Sequence, residues 1–138
     1  TVLEAIMEET KLLDECDVVV PVNKIASYLA YVNKTGEECG LTIKSFGHAG
    51  DGNLHIYQCS NDLSEEEFKS RVDKFFELIY AEATALGGLV SGEHGIGSGK
   101  VKYLVESVGD TNMRLMEGIK HVFDPNMILN PGKVCYRL

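Results

Sequence analysis

Two histidines flank a glycine-rich turn in the stretch Gly47–His55, which reads Gly-His-Ala-Gly-Asp-Gly-Asn-Leu-His. An Asp-Gly pair between two short apolar runs favours a β-hairpin with a two-residue turn at Asp51 and Gly52. That register would place His48 directly opposite His55, with Cβ atoms about 4.5–5.5 Å apart on one face of the hairpin. Two imidazoles at this separation can bind one divalent metal ion. The alternative is a polar surface pair without a ligand, and a longer turn would change the register.

A second pair of reactive side chains lies in the glycine-rich segment 91–97, where Glu93 and His94 are adjacent. Neighbouring side chains of an extended backbone point in opposite directions, so these two residues should have different roles. Glu93 would complete a set of two histidines and one carboxylate with His48 and His55, and such a set leaves coordination positions open, as catalytic sites do. His94 would then serve to move protons. The alternative is a plain glycine loop with a solvated acid.

The run Gly95–Lys100 is superficially similar to a phosphate-binding loop. That pattern requires glycine where His94 stands and serine or threonine where Val101 stands. The strong preceding strand and the third glycine of a dinucleotide-binding turn are missing as well. We therefore exclude both nucleotide motifs. His121 falls within an amphipathic helix and is interpreted as a surface or packing residue.

Hydrophobic periodicity and turn signals predict the elements that must position these residues. Helices are predicted over residues 2–13, 22–38, 64–86, 101–105 and 110–122, and strands over 17–21, 41–47, 53–59 and, in short form, 89–90. Ser64 has the position of a helix N-cap, and Gly40 stands where a helix should end. This order predicts an α+β domain, an antiparallel sheet with helices packed on one face, similar to part of a ferredoxin-like fold.

Composition limits the classes of function. A chain of 138 residues, with 44% hydrophobic and 25% charged residues, fits one globular domain. The net charge of −8 argues against binding to nucleic acid. The four cysteines form no CxxC pair, which excludes a zinc ribbon and fits reduced thiols in a cytoplasmic protein. No apolar run approaches the roughly 20 residues of a transmembrane helix, and no signal peptide is visible.

Three motifs in order carry a resemblance to a known family. They are the stretch Gly47–His55, the segment Ser91–Gly97 and the terminal run Leu129–Lys133, which reads Leu-Asn-Pro-Gly-Lys. Together they resemble the FAD-linked oxidase C-terminal domain of the vanillyl-alcohol-oxidase-like superfamily. That domain occurs in glycolate oxidase flavoprotein subunits, D-lactate dehydrogenases and D-2-hydroxyglutarate dehydrogenases. The resemblance covers nearly the whole chain, from about Asp17 to Lys133.

The resemblance implies the substrate-side (cap) domain of an FAD-dependent 2-hydroxyacid dehydrogenase or oxidase, which oxidises its substrate to a 2-oxoacid by hydride transfer to FAD. It implies that His48, His55 and Glu93 bind a divalent metal, usually zinc, and that His94 is the catalytic base. The implied contacts to substrate or cofactor are Asn53, Asn130 and Lys133. A turn-only role for the last two is the alternative.

The resemblance also implies a partner, because FAD would be bound by another domain of the same full-length protein, outside this sequence. The start of the chain at Thr1, inside an expected helix, suggests a fragment. Because the resemblance implies that the FAD-binding domain and the upstream part of this domain are missing from it, we expect the chain alone to bind metal weakly or not at all and to have no turnover. These expectations are compatible with a small 2-hydroxyacid substrate and with a homodimer. They are also compatible with a cytoplasmic location, peripheral to the membrane through partner subunits. Two other hypotheses stay open: a metal- or small-acid-binding module without redox activity, and a structural or dimerising domain.

Overall fold

The computed structural model describes residues 1–135. The elements follow one another as α1 (Val2–Glu9), β1 (Leu12–Val19), a short 3₁₀ helix (Val22–Lys24), α2 (Ile25–Cys39), β2 (Thr42–His48), β3 (Asn53–Ser60), α3 (Glu65–Ala85) and α4 (Val101–Phe123). They divide into two compact units, of which the first runs from Thr1 to Glu93 and the second begins at His94. We refer to them as the first and the second unit.

The first unit is built on a three-stranded antiparallel sheet in the order β1-β3-β2. Helices α2 and α3 pack on one face of this sheet, and its central strand β3 is buried along its length except at Ser60. A hydrogen bond of 2.9 Å from the Tyr28 hydroxyl to the Ile79 carbonyl links the two helices within this core. The α+β class and the antiparallel sheet predicted from the sequence are confirmed.

Short helix α1 packs on the opposite face of the sheet, at one end. Ile6 from α1 forms an apolar cluster there with Tyr57 and Cys59 of β3, and Leu13 and Phe46 pack against the cluster. The rest of that face, toward the β2–β3 turn, carries the polar residues that are described below.

Local signals placed the long helices correctly. The Ser64 side chain accepts a hydrogen bond from the Glu67 amide and begins α3, as an N-cap does. Gly40 ends α2 with φ of 67°, a left-handed conformation that glycine adopts without steric cost. The predicted bounds of both helices agree with the structure to within a few residues.

Two predicted bounds near the N-terminus are wrong. The helix predicted over 2–13 ends at Glu9, and the strand predicted over 17–21 covers Leu12–Val19 instead. The cause is tertiary, because Leu12 and the residues after it pair with β3 along their whole length. Pairing across the sheet outweighs the helical spacing of the local sequence. The short strand predicted at 89–90 is reduced to a single bridge between Leu89 and Val19.

In the second unit, α4 is interrupted at Gly109, whose φ of 75° and ψ of 167° are not helical. The two helices predicted over 101–105 and 110–122 are therefore the two halves of α4, and the first half is longer than predicted. The chain then turns at Asp124, a buried residue whose carboxylate accepts hydrogen bonds from the Ile128 and Leu129 amides at 3.1 and 2.9 Å.

Two further sequence expectations concern the cysteines and the membrane. All four cysteines have free thiols and are buried. Among the described residues, no helix has both the length and the apolar character that crossing a bilayer requires.

Candidate metal centre

The turn between β2 and β3 is longer than predicted. His48 pairs with Asn53 and Phe46 pairs with His55, so four residues connect the strands instead of two. The predicted pairing of His48 with His55 is therefore wrong. The turn is held to the end of β1: the Val20 amide donates to the Gly52 carbonyl at 3.0 Å, and Gly52 has a φ of 73°.

The corrected register still leaves both histidines on one face. A slip of one residue would have moved one of them to the other face, but the observed slip is two residues. His48 and His55 are now diagonal neighbours, with ring centroids 6.0 Å apart and ring planes at 83°. Asn53, directly opposite His48, shares their face.

Glu93 lies beside both imidazoles. Its Oε1 atom is 2.9 Å from His55 Nε2 and 3.9 Å from His48 Nε2. The Asn53 amide donates to the same oxygen at 2.9 Å. One ligand atom from each of His48, His55 and Glu93 lies within 4.8 Å of the other two. The second glycine-rich segment therefore brings its carboxylate to the histidine face, and we call these three residues the His-His-Glu cluster.

The His-His-Glu cluster has the donor set and the dimensions of a divalent metal site. Ligand atoms at 2.0–2.2 Å from one tetrahedral zinc ion are about 3.3–3.6 Å apart, so the two measured separations need shifts well below 1 Å. The His55 side chain is 8% exposed, whereas those of His48 and Glu93 are 63% and 49% exposed. The cluster is thus anchored at His55 and open to solvent on the other side, as a site with an exchangeable ligand requires.

Glu15 lies behind His55 and was not identified from the sequence. Its Oε1 atom is 3.5 Å from His55 Nδ1, the ring nitrogen that faces away from Glu93. Burial, followed by the charge and hydrogen bonding of Glu15, raises the pKa of Tyr57 to about 12, so the Tyr57 hydroxyl keeps its proton beside this carboxylate. A carboxylate at the outer nitrogen of a metal-binding histidine fixes the tautomer and the orientation of the ring.

Asp17 is a second carboxylate that the sequence did not reveal as part of the site. It is fully buried on β1, pairs with His55 in the sheet, and accepts hydrogen bonds from the Ser91 hydroxyl and from the Gly92 and Glu93 amides. Every second residue of a strand lies on the same face. A prediction of β1 at its full length would therefore have placed Glu15, Asp17 and Val19 on the histidine face.

The remaining predicted site residues belong to the second unit. His94, Asn130 and Lys133 are all exposed, and Asn130 has a φ of 47°. Their roles as base and as substrate or cofactor contacts stay predictions. His121 is exposed on α4, in agreement with its interpretation as a surface residue.

Comparison with known proteins adds an independent observation. The family described as FAD linked oxidases, C-terminal domain, matches residues 2–134. A D-lactate dehydrogenase of Anaerostipes hadrus is 64% identical over 136 residues, which cover 99% of this chain and 29% of that protein.

More distant relatives match over the same region. The glycolate oxidase subunit GlcD of Bacillus subtilis is 38% identical over 93% of this chain and 27% of its own length. A D-2-hydroxyglutarate dehydrogenase of Xanthomonas citri is 36% identical over 86% of this chain and 26% of its own length. This chain therefore spans less than a third of the length of these relatives. It belongs to the family of FAD linked oxidases, C-terminal domain.

Proposed function

We propose that this chain is the substrate-side domain of an FAD-dependent 2-hydroxyacid dehydrogenase, with D-lactate as the favoured substrate. Membership of the FAD linked oxidase family supports the reaction class, and the 64% identity to a D-lactate dehydrogenase supports the choice of substrate. The observation that carries the proposal is the His-His-Glu cluster, whose ligand atoms lie within 4.8 Å of one another on one face of the sheet.

The His-His-Glu cluster would hold a divalent cation, for which zinc is the preferred candidate because two imidazoles and one carboxylate match its ligand types. When bound, such an ion acts as a Lewis acid toward the substrate hydroxyl and carboxylate. His55, which is buried and backed by Glu15, fixes the position of the site in the sheet. His48 and Glu93 lie at the open side, where a small acid can approach.

Asn53 and His94 would complete the work of this chain on the substrate. The Asn53 amide already donates to Glu93 and restricts the carboxylate to the histidine face. His94 follows Glu93 directly in the chain, and an imidazole can accept the substrate hydroxyl proton near neutral pH. FAD, bound by the rest of the protein, supplies the hydride acceptor. Asn130 and Lys133 are proposed to contact the substrate or the flavin.

The metal role can be tested on the chain itself by zinc titration calorimetry. All three proposed ligands belong to the first unit, so we expect one equivalent of zinc to bind measurably. This differs from the expectation drawn from the sequence, which was weak binding or none. His48→Ala should abolish this binding, whereas His121→Ala, which removes an exposed histidine of α4, should leave it unchanged. Equal binding by the chain and by its His48→Ala variant would refute the proposed ligand set.

The reaction requires a protein in which this chain is joined to an FAD-binding domain. We expect D-lactate to bleach the flavin of that protein faster than glycolate or D-2-hydroxyglutarate does. His94→Ala should slow the bleaching by roughly 100-fold or more, because a positioned acid–base group typically contributes that much. Bleaching that is unaffected by His94→Ala would remove His94 from the mechanism and leave the metal role standing.

A further inference from the structure

We propose that Asp17 is a positioning residue that sets Glu93 in place for metal binding. This inference rests on the proposed metal role of the His-His-Glu cluster and names a residue that the ligand set itself does not contain. Asp17 acts through the loop 91–93, from which it accepts hydrogen bonds of the Ser91 hydroxyl and of the Gly92 and Glu93 amides.

The hydrogen bonds to Asp17 hold the backbone of Glu93 directly. Asp17 Oδ2 accepts from the Gly92 amide at 2.6 Å and from the Glu93 amide at 2.7 Å, and the Ser91 hydroxyl donates to the same oxygen at 3.0 Å. Hydrogen bonds from amides to an ionised carboxylate are shorter and stronger than those between neutral groups. Because Asp17 is 0% exposed, water does not compete with these donors for its carboxylate.

Asp17 and His55 are also held in fixed positions relative to each other by the sheet. The two residues are register partners in the β1–β3 ladder, so their Cα positions are fixed relative to each other by the sheet. Antiparallel partners point to the same face, which puts the Asp17 carboxylate on the histidine face as well. One pair of strands therefore positions His55 by its own backbone and Glu93 through Asp17.

Gly92 makes the close approach of this loop possible. A Cβ atom at position 92 would collide with the side chain of Asn53 and would lie 2.8 Å from Val19 Cγ2. With glycine at this position, the loop approaches closely while two successive amides donate to one carboxylate oxygen. The Asn53 amide then meets Glu93 Oε1 from the other side at 2.9 Å.

A structural role and a positioning role make different predictions in a double-mutant cycle. We expect Asp17→Asn to weaken zinc binding to the full chain by about 10- to 100-fold, the usual range for an outer-shell partner. The asparagine keeps the shape of the side chain and can still accept through its carbonyl oxygen, but this neutral oxygen is a weaker acceptor than a carboxylate. In a Glu93→Gln background the same substitution should change zinc affinity by less than about threefold, because the ligand that Asp17 positions is already impaired.

Two further variants keep the test decisive if Asp17→Asn folds poorly by circular dichroism. Ser91→Ala removes one donor to Asp17 without removing a carboxylate and should weaken zinc binding by a smaller factor. Asp124→Asn is the matched control, since Asp124 is also a buried aspartate that accepts from two successive loop amides. It lies in the second unit, and zinc affinity should not change.

The outcomes separate the positioning role from the metal role. If the chain binds zinc and Asp17→Asn binds it equally well, or if its effect is as large in the Glu93→Gln background, the positioning role is refuted while the metal site stands. If the chain binds no zinc at all, the proposed metal role fails and the positioning role fails with it. Amide exchange adds a readout without metal: the Gly92 and Glu93 amides should exchange faster in Asp17→Asn, and unchanged exchange would also overturn the proposal.

Discussion

Each unit of this chain contains a buried aspartate that accepts hydrogen bonds from two successive loop amides. The two aspartates differ in how far along the chain these amides lie. Asp17 binds amides 75 and 76 residues further along the chain, across a sheet. Asp124 binds amides four and five residues further on, and Lys120, one helical turn before it, donates to its Oδ2 atom at 2.6 Å. The first arrangement is tertiary and the second is local.

The sequence separation between each aspartate and its donors determines whether its loop can form locally or only within the folded sheet. The loop at Asp124 can form from its own sequence, because the donors, the acceptor and the counterion lie within a few residues. The loop at Asp17 takes up its position only when the sheet has formed. Its position is then fixed relative to His55, which pairs with Asp17 in the sheet. A metal site that draws ligands from distant parts of the chain needs a tertiary arrangement such as that of Asp17.

The largest effect on stability is expected from removing the tertiary acceptor. Asp17→Ala removes the buried acceptor of two amides and a hydroxyl, so the free energy of unfolding of the chain should fall by about 2–4 kcal/mol. Asp124→Ala should lower it less, because water can reach the donors of a local turn. Urea unfolding followed by circular dichroism measures both, and a larger loss in Asp124→Ala would reverse the comparison.

A smaller effect is expected from a methyl group on the loop that Asp17 holds. Gly92→Ala must displace either the loop or the side chains of Asn53 and Val19, and overpacking of this kind destabilises by about 1–3 kcal/mol. Zinc affinity should fall at the same time. Gly50→Ala is the matched control, since a Cβ there has no heavy atom within 4 Å. If both variants unfold at the same urea concentration as the parent chain, the close approach at Gly92 has no energetic importance.

The smallest effect is a pH dependence confined to the local turn. The hydrogen bond from Lys120 is the main cause that lowers the pKa of Asp124 below its ordinary value of 3.8. The stabilisation is therefore present above pH 3.8 and is lost as the pH falls through the lower pKa of the folded state. After correction for intrinsic rates, exchange of the Ile128 and Leu129 amides should accelerate in that window, and Asp124→Asn should remove the dependence.

The same contrast between local and tertiary order explains what the sequence could predict. Helix α3, with its cap at Ser64, and the end of α2 at Gly40 depend on signals within a few residues. The α+β class follows from the succession of such elements. The family resemblance rests on short motifs of the same kind.

Features that depend on pairing between distant segments were predicted less well. The length of β1 and the register of His48 are set by β3, and neither is encoded near the residues concerned. The error in register was an even number of residues, so His48 and His55 still share a face. A full-length β1 would have placed Asp17 on the histidine face, but its hydrogen bonds to the loop 91–93 could not be predicted, because its donors follow more than 70 residues later.

Diffraction at the zinc absorption edge from crystals of the zinc-loaded chain tests the central claim most directly. We expect a single strong anomalous peak bonded to one ring nitrogen of His48, one of His55 and a carboxylate oxygen of Glu93, at about 2.0–2.2 Å. A chain that carries zinc elsewhere, or zinc bound by the histidines with Glu93 turned away from it, would contradict the account.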